Sequence, residues 1–216
     1  MRLSFRPRPS YAGYMSDTKL PCLILCGGAS RRFEGEHKAF APLGEKTVLQ
    51  HVIDRVEQQC REICLNAPEH DGFELFELPL CPDGPDAGKG PLAGVLTAMN
   101  WADKAGAAQV LTCSNDTPFI PLDWAQILNK DSNDKIRVPA FEGNSHFVCA
   151  LWPVQLKTKL ANYLASGDRS VQGFVQSQAV EFIEFSGVND FDPFFNVNTP
   201  DDLRTAAEIL QSVNRR

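Results

Sequence analysis

The residues best suited to chemistry in this sequence are a glycine pair followed by basic side chains. Gly27 and Gly28 come directly after the apolar run 22–26, and Arg32 and Lys38 follow them. Glycine tolerates positive φ and has no Cβ, so the backbone of such a turn can approach an anion closely. Its N–H groups, with guanidinium and ammonium groups nearby, form a cradle for phosphate. The spacing fits neither G-x-G-x-x-G nor the P-loop, and alone it equally favours a tight turn with a solvated basic face.

Further polar side chains follow other predicted strands or the loops after them: Asn66, Asp83, Asp116 and Asn198. Ligands of open α/β sheets bind outside the carboxyl ends of the strands, so these groups are expected in one crevice with Lys38. Basic groups beside a carboxylate suit a triphosphate with Mg²⁺, which prefers oxygen ligands. Lys38 and Arg32 would neutralise the charge that builds during phosphoryl transfer. Taken singly, Asp83 and Asp116 could be ordinary turn residues.

Alternating strands and helices must position these groups. Thr47 and Gln50 predict a capping box at the start of one helix, and Thr199-Pro200 predict the start of the last helix. The alternation predicts an α/β fold with a mainly parallel central sheet, and the turn at 142–144 predicts an antiparallel insertion. Strands are predicted at 20–26, 63–65, 73–78, 109–113, 136–140, 147–151, 180–185 and 194–197; helices are predicted from Thr47, Pro91, Pro121, Pro153, Arg169 and Thr199.

Size and composition restrict the remaining possibilities. The 216 residues suit a single domain over 19–216, preceded by a disordered arm at 1–18 in which Met15 is a candidate start. A net charge of −6 argues against general nucleic-acid binding. No apolar run approaches the roughly 18 residues of a membrane span. The seven cysteines are scattered and lack a C-x-x-C, which indicates reduced, mostly buried thiols in a cytoplasmic protein.

The stretch from Leu25 to Lys38, Leu-Cys-Gly-Gly-Ala-Ser-Arg-Arg-Phe followed by the lysine, resembles the signature of nucleotidyltransferases with a Rossmann-like nucleotide-diphospho-sugar transferase fold. That fold has helices on both faces of the sheet. Within this group, the chain from Leu20 to about Leu210 resembles the molybdenum cofactor guanylyltransferase family. Four further segments support the resemblance by their order and spacing: Gly-Pro-Leu-Ala-Gly at 90–94, Asn-Asp-Thr-Pro-Phe at 115–119, Gly-Asp-Arg-Ser-Val at 167–171 and Asn-Val-Asn-Thr-Pro-Asp-Asp-Leu at 196–203.

The resemblance implies an enzyme that transfers GMP from GTP to Mo-molybdopterin and releases pyrophosphate. It implies catalytic roles for Arg32, Lys38 and Asp116, with Mg²⁺ held by Asp116 and Asn198. The GTP-binding residues that it implies are Leu25, Cys26, Gly27, Gly28, Lys38, Asn66, Asp83 and Asp116. Proteins that deliver the pterin or receive the product are the further partners that it suggests.

Three residues depart from the family pattern: Phe33 replaces methionine, Glu34 replaces glycine, and His37 precedes the lysine where aspartate is common. These departures leave two related activities open: a cytidylyltransferase, or a nucleotidyltransferase that acts on another phosphorylated metabolite. A non-catalytic nucleotide-binding adaptor is the alternative from a different class, although the presence of both Lys38 and Asp116 argues against it. The polar segments 144–146 and 167–170 are candidates for contact with the second substrate.

Overall fold

Strands and helices alternate along most of the chain in the computed structural model, which describes residues 19–27, 37–69, 71–84, 87–130, 134–188 and 191–214. The predicted arm at 1–18 lies outside these residues. The strands are β1 (Cys22–Leu25), β2 (Pro42–Leu43), β3 (Lys46–Thr47), β4 (Ile63–Asn66), β5 (Gln109–Ser114), β6 (Ile136–Phe141), β7 (Asn144–Ser145), β8 (Leu151–Pro153) and β9 (Val180–Glu184). The α-helices are α1 (Val48–Glu57), α2 (Pro91–Lys104), α3 (Trp124–Asn129), α4 (Lys157–Ala165), α5 (Val171–Gln176) and α6 (Pro200–Asn214).

The central sheet is mixed, with one inverted strand near its middle. Its order is β4-β1-β5-β8-β6, and β9 pairs with β6. The pairs β4–β1, β1–β5 and β6–β9 are parallel, whereas β8 runs antiparallel to both of its neighbours. The short β7 forms a hairpin with the end of β6. These pairings confirm the predicted fold class and the predicted antiparallel insertion.

Helices cover both faces of this sheet because β1 is apolar on both sides. Cys22 and Ile24 pack into one cluster with α1 and α3, and Leu23 and Leu25 pack into another with α2, α4 and α5. All four side chains are buried, as expected for a central parallel strand. Helix α6 packs separately on the β2–β3 hairpin and the start of α1. Among the described residues, no helix combines the length and apolarity needed to cross a bilayer.

Local capping chemistry accounts for the helix starts that the sequence predicts. The Thr47 hydroxyl accepts from the Gln50 N–H, and the Thr199 hydroxyl accepts from the Asp202 N–H. Pro91 occupies the first turn of α2. The three remaining helices begin two to four residues later than predicted, at Trp124, Lys157 and Val171.

Three predicted strands differ in the structure. The segment 73–78 is a 3₁₀ turn at Phe73–Phe76, bounded by the left-handed Gly72 and Glu77. Its phenylalanines, three positions apart, lie on one side of the turn and pack against Phe40. The segment 147–151 is a turn, and the strand begins at its last residue. The segment 194–197 is irregular, because its backbone bonds to the loop at Asp116.

The cysteines also differ in part from the prediction. Five are buried free thiols, namely Cys22, Cys26, Cys60, Cys113 and Cys149. Cys64 and Cys81, however, form a disulfide across 17 positions, which corrects the expectation that all the thiols are reduced. Cys64 lies on β4, and the backbone N–H of Cys81 donates to the Leu65 carbonyl at 2.8 Å. The disulfide therefore reinforces the docking of the 79–83 loop on the edge of the sheet.

Candidate active site

The carboxyl ends of three neighbouring strands meet at one edge of the sheet. Leu25 at the end of β1 lies opposite Asn66 at the end of β4 and opposite Ser114 at the end of β5. The residues that follow these ends therefore face a common crevice. This register brings the predicted site residues Leu25 and Asn66 side by side, although they are far apart along the chain.

Lys38, Asp116 and Asn198 form one polar cluster. The Lys38 ammonium pairs with Asp116 Oδ2 and donates to Asn198 Oδ1 at 2.7 Å. The two charged side chains are 14% and 7% exposed, respectively, so the pair is largely withdrawn from water. The structure thus places a cation on both of the residues predicted to hold a metal ion.

Backbone contacts fix the two oxygen-bearing members of this cluster. Asp116 follows β5, and its carbonyl accepts from the Val197 N–H at 2.9 Å, which places Asn198 beside it. The carboxylate of Asp202 accepts from the N–H groups of Asn198 and Thr199. The start of α6 therefore anchors Asn198 from the other side.

Asp116 has the properties expected of a metal ligand. Its Oδ1 atom is buried and accepts no hydrogen bond from the described residues. A buried carboxylate oxygen without a partner is costly, and a bound cation would satisfy it. Asp116 and Asn198 offer oxygen ligands, which suit Mg²⁺ together with phosphate oxygens and water. The residues present therefore fit a hard divalent cation.

His37 holds Lys38 at this site. It caps the 3₁₀ turn Lys38–Phe40 by accepting from the Ala39 N–H, and its ring packs edge-on against Phe73. Burial, with a smaller effect from the Lys38 charge, lowers the pKa of His37. A neutral imidazole here adds no second positive charge beside the lysine, so this departure from the family pattern is compatible with the cluster.

A cavity of about 430 Å³ opens beside the cluster. The predicted residues Leu25, Gly27, Asn66 and Asp83 line it. Sequence reasoning missed the rest of its lining as site residues, namely Gly88, Gly90, Pro91, Gly94, Ser114 and Val148. The segment Gly-Pro-Leu-Ala-Gly at 90–94, at the start of α2, is the sequence signal that could have identified part of this lining.

The remaining residues of the predicted glycine-rich stretch either lie outside the described residues or already have a hydrogen-bond partner. Gly28, Arg32, Phe33 and Glu34 lie outside the described residues. The Cys26 N–H already donates to the Asn66 carbonyl at 3.2 Å, and burial raises the pKa of the Cys26 thiol well above its usual value.

The two segments predicted for the second substrate carry internal contacts. The Ser170 hydroxyl caps α5 by accepting from the Gly173 N–H at 3.0 Å. His146 Nε2 lies 3.0 Å from Asp192 Oδ2. Contact between these segments and a second substrate stays a prediction.

Comparison with known proteins identifies the family. The model of the MobA-like NTP transferase domain matches residues 22–181. The chain is 37% identical over 199 residues to the molybdenum cofactor guanylyltransferase of Mesorhizobium japonicum, covering 88% of this chain and 96% of that one. The chain belongs to the molybdenum cofactor guanylyltransferase family. The corresponding protein of Acidiphilium cryptum is 38% identical over 193 residues, with 88% and 95% coverage. Membership of this family confirms the prediction of a nucleotidyltransferase.

Solved structures confirm the fold. Molybdopterin-guanine dinucleotide biosynthesis protein A from Archaeoglobus fulgidus superposes with a TM-score of 0.72 at 21% identity, covering 89% of this chain and all of that one. A 4-diphosphocytidyl-2C-methyl-D-erythritol synthase from Anaerococcus prevotii reaches 0.67 at 15% identity, with 90% and 97% coverage. The family thus shares its fold with a synthase whose name contains a cytidyl group.

Proposed function

We propose that this protein transfers GMP from GTP to Mo-molybdopterin, forming the guanine dinucleotide cofactor and pyrophosphate. The observation that carries the proposal is the cluster of Lys38, Asp116 and Asn198 at the edge of the sheet, beside a cavity lined by Asn66 and Asp83. Relatives named for this activity are similar over most of the chain. Mo-molybdopterin would be the acceptor, with its terminal phosphate as the attacking group.

The cluster supplies positioning and charge neutralisation, which are most of what nucleotidyl transfer requires. The terminal phosphate of the pterin attacks the α-phosphorus of GTP, a P–O bond forms there, and the bond to the leaving pyrophosphate breaks. Both reactants are anionic, so Lys38 lowers the repulsion between them when its ammonium moves from Asp116 to the phosphates. Arg32, a little earlier in the sequence than Lys38, is proposed to assist.

The metal in this proposal is Mg²⁺, held by Asp116 and Asn198. When bound, it would act as a Lewis acid that neutralises the negative charge of the phosphate oxygens. The unpartnered Oδ1 of Asp116 supports this assignment. Leu25, Cys26, Gly27 and Gly28 are proposed to cradle the nucleotide through the backbone, and Asp83, held by Asn66, is proposed to bind the guanine edge.

The test is release of pyrophosphate by purified protein with Mg²⁺, Mo-molybdopterin and each NTP in turn. We expect release with GTP, and the loss of turnover in Asp116→Ala with an unchanged circular dichroism spectrum. Asp103→Ala is the matched control, because Asp103 pairs with Lys157 on the surface. Release of pyrophosphate with CTP but not with GTP would overturn the guanine assignment. If none of the NTPs gives release of pyrophosphate, the result favours a non-catalytic nucleotide-binding adaptor. Full activity of Asp116→Ala would remove Asp116 from the metal site.

A further inference from the structure

The carboxylate of Asp83 is held through one of its two oxygens. Asn66 Nδ2 donates to Asp83 Oδ1 at 2.8 Å, and Thr97 Oγ1 donates to the same atom at 2.9 Å. Among the described residues, no recorded hydrogen bond ends on Oδ2. Asp83 lines the cavity at the end of β1, so the arrangement fixes one oxygen and leaves the other for a ligand.

Asn66 is itself locked in place. Both of its amide hydrogens have acceptors, since Nδ2 also donates to the Cys81 carbonyl at 2.9 Å. Its Oδ1 lies against α2, where a Cβ on Gly94 would come within 2.5 Å of it. Among the described residues, the Thr97 hydroxyl completes this network by donating to the same oxygen of Asp83.

Thr97 makes this contact from α2, one turn after Gly94 and on the same face of the helix. A threonine within a helix can instead bond to a carbonyl of the preceding turn. Here the hydroxyl donates to an oxygen of the Asp83 carboxyl group instead. The contact joins the helix to the 79–83 loop, and within the described residues no backbone hydrogen bond joins these two elements.

We infer that Thr97 is a positioning residue for base selection, an inference that rests on the proposed binding of guanine by Asp83. With Oδ1 tied down by Thr97 and Asn66, Oδ2 is directed at the base. Guanine presents the N1–H and the 2-amino group as donors on this edge. Adenine presents an acceptor at N1 and cytosine one at N3, and either would face the carboxylate without a proton between them. Selectivity of this kind arises because a buried polar group is left unpaired with the wrong partner.

Equilibrium binding tests the inference with the full chain. Thr97→Val keeps the shape of the side chain and removes the hydroxyl, whereas Thr97→Ser keeps the hydroxyl. Dissociation constants for GTP, ITP and ATP are measured by competition against a fluorescent GTP analogue. We expect Thr97→Val to weaken GTP binding about tenfold, the equivalent of about 1.4 kcal/mol. ATP binding should change less than about twofold, because ATP makes no use of the directed oxygen.

Two controls separate the possible failures. Thr205→Val removes a threonine hydroxyl on α6 that donates to the Asp201 carbonyl one turn earlier, and should leave all three constants unchanged. Thr97→Ser should restore the ratio of GTP to ATP affinity to the wild-type value. Equal weakening of GTP and ATP by Thr97→Val would overturn the inference, because it would indicate a general structural effect.

Asp83→Asn distinguishes this inference from the proposed function. If this variant leaves the ratio of GTP to ATP affinity unchanged, the placement of guanine at Asp83 is wrong and the inference falls with it. If Asp83→Asn abolishes selectivity while Thr97→Val preserves it, the base site stands and only the role of Thr97 is refuted. Loss of selectivity in both variants, with rescue by Thr97→Ser, supports both.

Discussion

Lys38 pairs with Asp116, the proposed metal ligand, and replacing Lys38 with methionine tests that arrangement. Lys38→Met keeps most of the aliphatic stem and removes the charge that pairs with Asp116. Removing one partner of a buried ion pair typically costs about 3–5 kcal/mol, because the other charge is left uncompensated. Since the Lys38 and Asp116 side chains remain 14% and 7% exposed, we expect about 3 kcal/mol, at the lower end.

Magnesium should reverse this loss in the variant. In the wild-type protein without nucleotide, a cation must displace the ammonium of Lys38 from Asp116 and Asn198. In Lys38→Met nothing competes, so Mg²⁺ binds the folded state alone and stabilises it. At about 100 times its dissociation constant, a ligand adds about 2.7 kcal/mol, which recovers most of the lost stability.

Urea denaturation with and without saturating Mg²⁺, at matched ionic strength, measures both effects. Lys46→Met is the control, since Lys46 pairs with Asp54 at the surface, with side chains 53% and 32% exposed. That variant should lose at most about 1 kcal/mol and should not respond to Mg²⁺. The reasoning is refuted if Lys38→Met is as stable as the wild-type protein without Mg²⁺, or if Mg²⁺ stabilises both equally.

Three other perturbations have defined outcomes. Gly94→Ala places a Cβ within 2.5 Å of Asn66 Oδ1, so urea denaturation should show a loss of about 1–3 kcal/mol and GTP should bind more weakly; unchanged stability would contradict the close packing. Cys81→Ser opens a loop closed across 17 positions and should cost about 3 kcal/mol under oxidising conditions. A reductant should then cause the same loss in the wild-type protein and none in the variant. Burial lowers the pKa of His37 and His146 below the usual 6.5 in the folded state. As the pH falls, the unfolded chain therefore binds protons before the folded protein does, so the full stability is present above pH 6.5 and is lost as the pH falls further. His37→Asn keeps a capping acceptor and should reduce the slope of the free energy of unfolding against pH.

Much of the fold was predictable because its signals are local. The hydroxyls of Thr47 and Thr199 mark helix starts through bonds to residues three positions on. The segment 73–78 was misread because its apolar spacing of three fits a 3₁₀ turn, and Gly72 at φ 86° sets that turn. A strand pattern of alternating residues is hard to distinguish from such a turn over so short a segment.

The site was predictable where it follows the general rule for strand ends, and not where it depends on contacts between distant elements. Asn66 ends β4 and Asp116 follows β5, and both strands are parallel to β1, so their convergence could be expected. The bond from Thr97 to Asp83 depends on how closely α2 approaches the 79–83 loop, which no local pattern encodes. The pairing of Cys64 with Cys81 has the same origin, since it arises from the docking of that loop on β4.

The inverted strand β8 separates β5 from β6 in the central sheet. Because β8 is antiparallel to both β5 and β6, those two strands point the same way, and so does β9. The ends of β5 and β6 therefore open on the same side, two strand spacings or about 10 Å apart. If the acceptor contacts the predicted segment 144–146 that follows β6, the strand between β5 and β6 would set the separation between the nucleotide and the acceptor. Loops after β6 and β9 could then change to suit a different acceptor while the nucleotide half stays as it is.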